Sequence, residues 1–180
     1  MGRLRKCRKI DYGRFSKKKN RGCEKIHFNW NENAKIRGDI LGLDEKRVLH
    51  SLGVAKKMKN LANELFPEND EFANDMFILG LLHDVGYEFT TAQEEHADVA
   101  GNTLKINGYK YWKEVYFHGK SDAKFESEAL RILNLADLLT DVNGNQTTVQ
   151  DRLSDVKERY GENSFAYKDF QKLANKLGLL

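Results

Sequence analysis

The chain has 180 residues, 40% of them hydrophobic and 32% charged; that is enough for one domain burying about 70% of the surface its unfolded chain exposes, and it suits a soluble globular protein rather than a disordered or membrane one. No apolar run approaches the roughly 18 residues of a spanning helix, and no apolar segment follows the basic opening residues, so no membrane partner or secretory leader is expected and the expected location is the cytoplasm. The formal net charge of +3 is unevenly spread.

Residues 1–43 read as a basic arm. Arg3, Arg5, Lys6, Arg8, Lys9, Arg14, Lys17, Lys18, Lys19, Arg21 and Lys25 face only Asp11 and Glu24 in the first 25 residues. Such an arm suits the phosphates of a nucleic acid or nucleotide, and a solvated tail equally well; its apolar residues are too sparse for a good amphipathic targeting face. Cys7 and Cys23 form no CxxC pair, so two reduced thiols are expected rather than a zinc knuckle or redox pair.

From Asp44, a suitable N-cap, the pattern is helical. Val48, Leu52, Ala55, Leu61, Ala62 and Leu65 recur at helical spacing until Pro67 stops the run. A second helix starts near Asn69 or Asp70 and carries Phe72, Ala73, Met76, Phe77 and Leu81 up to His83-Asp84, with Gly86 as its stop. Thr91 and Glu94 read as a capping box for a helix through Ala97, Val99, Ala100 and Leu104 to Gly108. An aromatic segment, Tyr109 to Phe117, ends at His118-Gly119, and the stretch from Glu126 to about Val142 is apolar nearly all round, as a central helix is. Thr147 with Gln150 opens a further helix through Val149, Leu153 and Val156 to Gly161. Ser164 opens the last, with Phe165, Phe170, Leu173 and Leu177 expected on its inner face. No strand pair with turn chemistry is present, so the domain at 44–180, with a core at 44–142 and C-terminal helices at 147–180, is expected to be an all-α bundle of about six to seven helices.

Polar residues interrupt this apolar framework in a pattern. His83 and Asp84 follow the apolar run Met76 to Leu82, where both are costly to bury without partners. His50 breaks an apolar face, and Gly53 lets another backbone, an ion or a substrate come close; Arg47 lies one turn before His50 and Lys57 two turns after it, placed to hold an anion. Asn134, Asp137 and Asp141 form a polar stripe on the apolar segment Ile132 to Leu139, and His96 and His118 fall on or beside core helices, whereas His27 lies in the arm. Each residue alone has a structural explanation: a core histidine satisfies a hydrogen bond, a helix aspartate meets a lysine. Four histidines and two aspartates on one helical core ask for a metal site.

The ordered set His50, His83-Asp84 and Asp137, framed by Arg47-Val48-Leu49-His50-Ser51-Leu52-Gly53-Val54-Ala55 and Leu81-Leu82-His83-Asp84-Val85-Gly86, resembles the HD superfamily of metal-dependent phosphohydrolases over roughly residues 44–142. The resemblance implies an HD-domain-like helical bundle in which His50, His83, Asp84 and Asp137 hold a first ion and the Asp84 carboxylate bridges to a second. His96 and His118 match members with two metals, among them the symmetric diadenosine tetraphosphate hydrolases and the HD-GYP cyclic-dinucleotide phosphodiesterases. The chain departs from the family's HDxGK pattern at Tyr87, has no GYP signature and lacks the ED pair of guanosine tetraphosphate hydrolases. Its layout is similar to the small stand-alone hydrolases of diadenosine polyphosphates or nucleotides.

Histidine and carboxylate ligands without thiolate suit one or two divalent ions such as iron, manganese or zinc. The expected activity is hydrolysis of a phosphoester or phosphoanhydride bond in a nucleotide or related small phosphorylated metabolite by metal-activated water, which Asp84 orients. Arg47 and Lys57 are the expected phosphate-gripping residues, with Lys120 a further candidate and Lys113 and Arg131 better explained as surface charges. The alternative is a binding module that keeps the fold and engages nucleic acid or a protein partner through the basic arm.

Overall fold

The structure, a computed structural model, describes residues 43–90, 92 and 94–180. The basic arm with Cys7, Cys23 and His27, and the expected cap Thr91, lie outside the described residues. Among those residues the chain forms seven α-helices and no strand beyond one isolated bridge, Thr140 to Gln146. They are α1 (Glu45–Leu65), α2 (Asp70–Leu82), α3 (His96–Ile106), α4 (Trp112–Phe117), α5 (Glu128–Leu138), α6 (Val149–Tyr160) and α7 (Phe165–Lys176), with a 3₁₀ turn at Val85–Glu88 between α2 and α3.

Most helix starts obey local side-chain chemistry. Asp44, Asn69, Ser127, Thr148 and Ser164 each accept a hydrogen bond from a backbone N–H three residues on, satisfying donors that a helix leaves unpaired. The cap of α6 is therefore Thr148, one residue after the expected Thr147. α3 begins at His96, with no side-chain bond from its N-cap Glu95, so the helix opens later than the Thr91 box implied. α2 ends at Leu82 rather than at Gly86, and His83 takes the C-cap position. α5 stops at Leu138, short of Val142, because Thr140 returns its hydroxyl to the Ala136 carbonyl and the Asp141 carboxylate accepts from the backbone N–H of Asn143 and Asn145, closing a turn.

The core sits between α1, α2 and α5. Val54, Met58, Ala62, Met76, Leu79, Ile132, Leu133 and Ala136 are buried there, joined by Ala100 of α3 and Val115 of α4. Full burial of each large side chain contributes about 1.5–3 kcal/mol. α5 is buried on most of its circumference, as its composition requires. A second cluster of Leu138, Val149, Leu173 and Ala174 seats α6 and α7 against the end of α5. Phe165 is not on that inner face: it is 66% exposed.

Three close backbone approaches fix the bundle around the polar residues. A Cβ on Gly80 would lie 2.5 Å from the Ala55 Cα, so α1 and α2 touch backbone to backbone. A Cβ on Gly53 would lie 2.4 Å from the Gly144 carbonyl oxygen, which identifies the visitor that Gly53 admits as the turn after α5. A Cβ on Gly86 would lie 1.9 Å from the His96 carbonyl oxygen, so this glycine serves contact with α3 rather than a helix stop.

Candidate metal centre

Five elements converge on one cleft of about 470 Å³. α1 brings Arg47 and His50, the end of α2 brings His83 and Asp84, α3 opens with His96, His118 caps α4, and Asp137 lies in the last turn of α5. Asp84 has φ −97° and ψ 7°, the sparsely allowed bridge between helical and extended backbone, as the chain leaves α2.

Three of the imidazoles carry their proton at a known atom. His50 Nδ1–H donates to the Asp141 carbonyl at 2.9 Å, His83 Nδ1–H to the Gly80 carbonyl at 2.8 Å and His118 Nδ1–H to the Val115 carbonyl at 2.6 Å. A carbonyl only accepts, so each neutral ring keeps its Nε2 lone pair bare, the orientation that backbone acceptors impose on metal-binding histidines. Those Nε2 atoms, that of His96 and two carboxylates face one another. His50 Nε2 lies 2.9 Å from Asp137 Oδ1, and Asp84 Oδ1 lies 3.5 Å from His83 Nε2, 3.5 Å from His96 Nε2 and 3.8 Å from His118 Nε2. His96 Nε2 and His118 Nε2 are 3.2 Å apart.

These separations fit a metal. An ion about 2.0–2.2 Å from two ligand atoms at roughly 90–110° holds them about 3.0–3.5 Å apart. His50, His83 and Asp137 form one such group and His83, Asp84 and His118 a second, so His83 is common to both. His83 is fully buried and its Nε2 has no hydrogen-bond partner among the described residues. Leaving such a group unsatisfied costs about 1–3 kcal/mol, which coordination would offset.

The electrostatics separate the groups. Burial pushes the His83 pKa down to about 4, so this ring stays neutral. Burial also opposes a proton on His50, but the hydrogen bond and charge of Asp137 outweigh it and raise the pKa; His118 is raised against burial in the same way by Asp84. Asp84, which burial alone would raise, is held well below the carboxylate range by His83, His118, Arg47 and His96. Asp137 is likewise lowered, against burial, by the His50 hydrogen bond. Arg47 Nη1 donates to Asp84 Oδ2 at 2.7 Å, leaving Oδ1 for the imidazoles.

Of the residues expected from sequence to bind or act, His50, His83, Asp84, His96, His118, Asp137 and Arg47 are brought together, and all but His83, which is enclosed beneath them, line the cleft. Lys57 is not among the lining residues. Lys120 lines the cleft, paired with Asp98, whereas Arg131 is exposed and paired with Glu128 of its own helix. Asn134 accepts from Gly119 N–H beside His118, and Asp141 contributes through its carbonyl rather than its side chain. The opposite wall was missed from sequence: Arg152, Val156, Arg159 and Tyr160 of α6 with Phe165, Phe170 and Leu173 of α7. Arg152 and Arg159 both pair with Asp155. Two arginines seven residues apart, on the face that carries Val156, were the available signal.

A sequence model of the HD domain matches residues 47–141, and no curated protein and no solved structure matches the chain. The matched segment contains every converging histidine and carboxylate but ends before α6 and α7.

Proposed function

Given that this chain belongs to the HD-domain family, we propose that it is a metal-dependent phosphohydrolase acting on a phosphoester or phosphoanhydride bond of a nucleotide or related small phosphorylated metabolite. The observation that carries this reading is the convergence of bare Nε2 atoms, their protons anchored on carbonyls, upon Asp84 and Asp137 at ligand-to-ligand distances. One or two divalent ions held there would supply charge stabilisation at phosphorus and a water made acidic enough to attack at neutral pH. His50, His83, His96, His118, Asp84 and Asp137 would hold them. Arg47 keeps Asp84 ionised and aligned and brings a cation to the cleft edge. The C-terminal wall supports a nucleotide in particular. Arg152 and Arg159 suit phosphate oxygens, and Tyr160, Phe165 and Phe170 line the same cleft with aromatic rings of the kind on which a base stacks.

Purified protein supplied with manganese, iron or cobalt should release phosphate or a nucleoside phosphate from members of a nucleotide panel, and His83→Ala or Asp84→Ala should lower kcat at least 100-fold. Absence of turnover on any phosphorylated compound by metal-loaded protein, together with salt-sensitive oligonucleotide binding, would replace the enzyme with a binding module.

A further inference from the structure

Tyr87 stands where the HDxGK pattern has lysine, and its surroundings give it a different task. Its ring lies face to face with the His96 imidazole, with centroids 4.4 Å apart and planes 13° from parallel. On the ring's other side the Arg47 guanidinium carbon is 3.8 Å from the centroid. Arg47 continues to Asp84 Oδ2 at 2.7 Å, and His96 Nε2 continues to His118 Nε2 at 3.2 Å and Asp84 Oδ1 at 3.5 Å. The aromatic layer therefore joins two chains of contact that end on one carboxylate.

We propose that Tyr87 is a positioning residue of the metal centre: its ring, clamped between His96 and Arg47, aims the His96 imidazole at its metal-binding partners and holds the Arg47 guanidinium on Asp84. The proposal rests on the metal reading above. His50, His83 and His118 are oriented through Nδ1 by carbonyls, and the stack gives His96 a broad face contact that fixes the plane of its ring. The backbone agrees, since Gly86, next to Tyr87, is pressed against the His96 carbonyl. The ring carries the function and the hydroxyl does not: Tyr87 Oη is buried with no hydrogen-bond partner among the described residues. A lysine here would supply no ring and would place a second cation beside Arg47, which already brings positive charge to this side of Asp84.

The test is manganese or zinc titration of the full chain by calorimetry, with circular dichroism of the metal-free protein as the folding control. Tyr87→Phe should bind metal within about twofold of wild type. Tyr87→Leu and Tyr87→Lys should lose roughly 10–100-fold in affinity, the usual size of an effect exerted on a ligand by its supporting residue. Arg47→Gln should weaken binding in wild type and add little further in the Tyr87→Leu background. Should the ring variants not fold, Arg47→Gln decides, because it removes the outer layer of the stack at a side chain that is 25% exposed. Wild-type affinity in Tyr87→Leu or in Arg47→Gln, or a Tyr87→Phe loss as large as that of Tyr87→Leu, would overturn the role assigned to the ring while leaving the metal reading intact. A wild-type chain that binds no divalent ion would overturn both.

Discussion

His50, His83 and His118 share one device with different consequences for protons. Each donates Nδ1–H to a carbonyl and turns Nε2 inward, but His50 and His118 meet carboxylates there and have raised pKa values, while burial holds His83 down at about 4. A metal ion binding to the metal-free protein must displace any proton on Nε2. For a histidine whose pKa is raised, that competition is already present at its ordinary value of about 6.5 and grows as pH falls. For His83 it begins only near pH 4. Apparent metal affinity should therefore fall between pH 8 and pH 6, approaching roughly tenfold per unit for each of the two competing protons. Competition titration with a chelator indicator across that range checks it, and an affinity flat from pH 8 to 6 would contradict the assignment of His50 and His118 as ligands.

At the scale of elements, the site depends on contacts between helices more than on any one helix. The turn after α5 reaches His50 only because Gly53 and Gly144 let backbones touch: a Cβ on Gly53 would come within 2.4 Å of the Gly144 carbonyl oxygen. Gly53→Ala should push that turn away, weaken the bond from His50 Nδ1–H to the Asp141 carbonyl and destabilise the fold by about 1–3 kcal/mol; urea denaturation and metal titration of the variant measure both. This dependence explains what could be read from the sequence. Asp44, Asn69 and Ser164 were legible as helix starts because a cap bonds a backbone N–H only three residues away. The polar residues of the centre were legible because they interrupt apolar faces. The end of α2 was not legible, since Gly86 answers to the His96 carbonyl across the fold. Nor was the part played by Arg152 and Arg159, because the face that α6 turns to the cleft is set by packing on Leu138 and Leu173. Arg159 is exposed enough to replace without harm to the core. Arg159→Ala should raise KM on the order of tenfold with kcat nearly unchanged, the worth of about one charged hydrogen bond to a phosphate.

For the whole molecule, the centre is a cross-link. α1, the end of α2, α3, the cap of α4 and α5 each supply one or more of the converging side chains, and these segments are separated by up to 87 residues between His50 and Asp137. Without metal, the Asp84 carboxylate and the Nε2 of His83, which has no hydrogen-bond partner among the described residues, are buried at the point where the elements meet. An ion bound there attaches to the folded state alone, because an unfolded chain does not gather ligands so far apart. At a free concentration 100 times its Kd such an ion adds about 2.7 kcal/mol of stability. For a domain of this size that is a rise of roughly 5–10 °C in Tm. Thermal melts of the same preparation before and after EDTA, and again after manganese or zinc is restored, should show the loss and its recovery. His83→Ala should remove the metal-dependent increment. Hydrogen exchange should place the protection gained with metal in α3 and α4, which each add a single buried residue, Ala100 and Val115, to the α1–α2–α5 core and supply His96 and His118 to the shared centre. A Tm that ignores both chelator and added metal would mean that this convergence of histidines and carboxylates does not hold an ion.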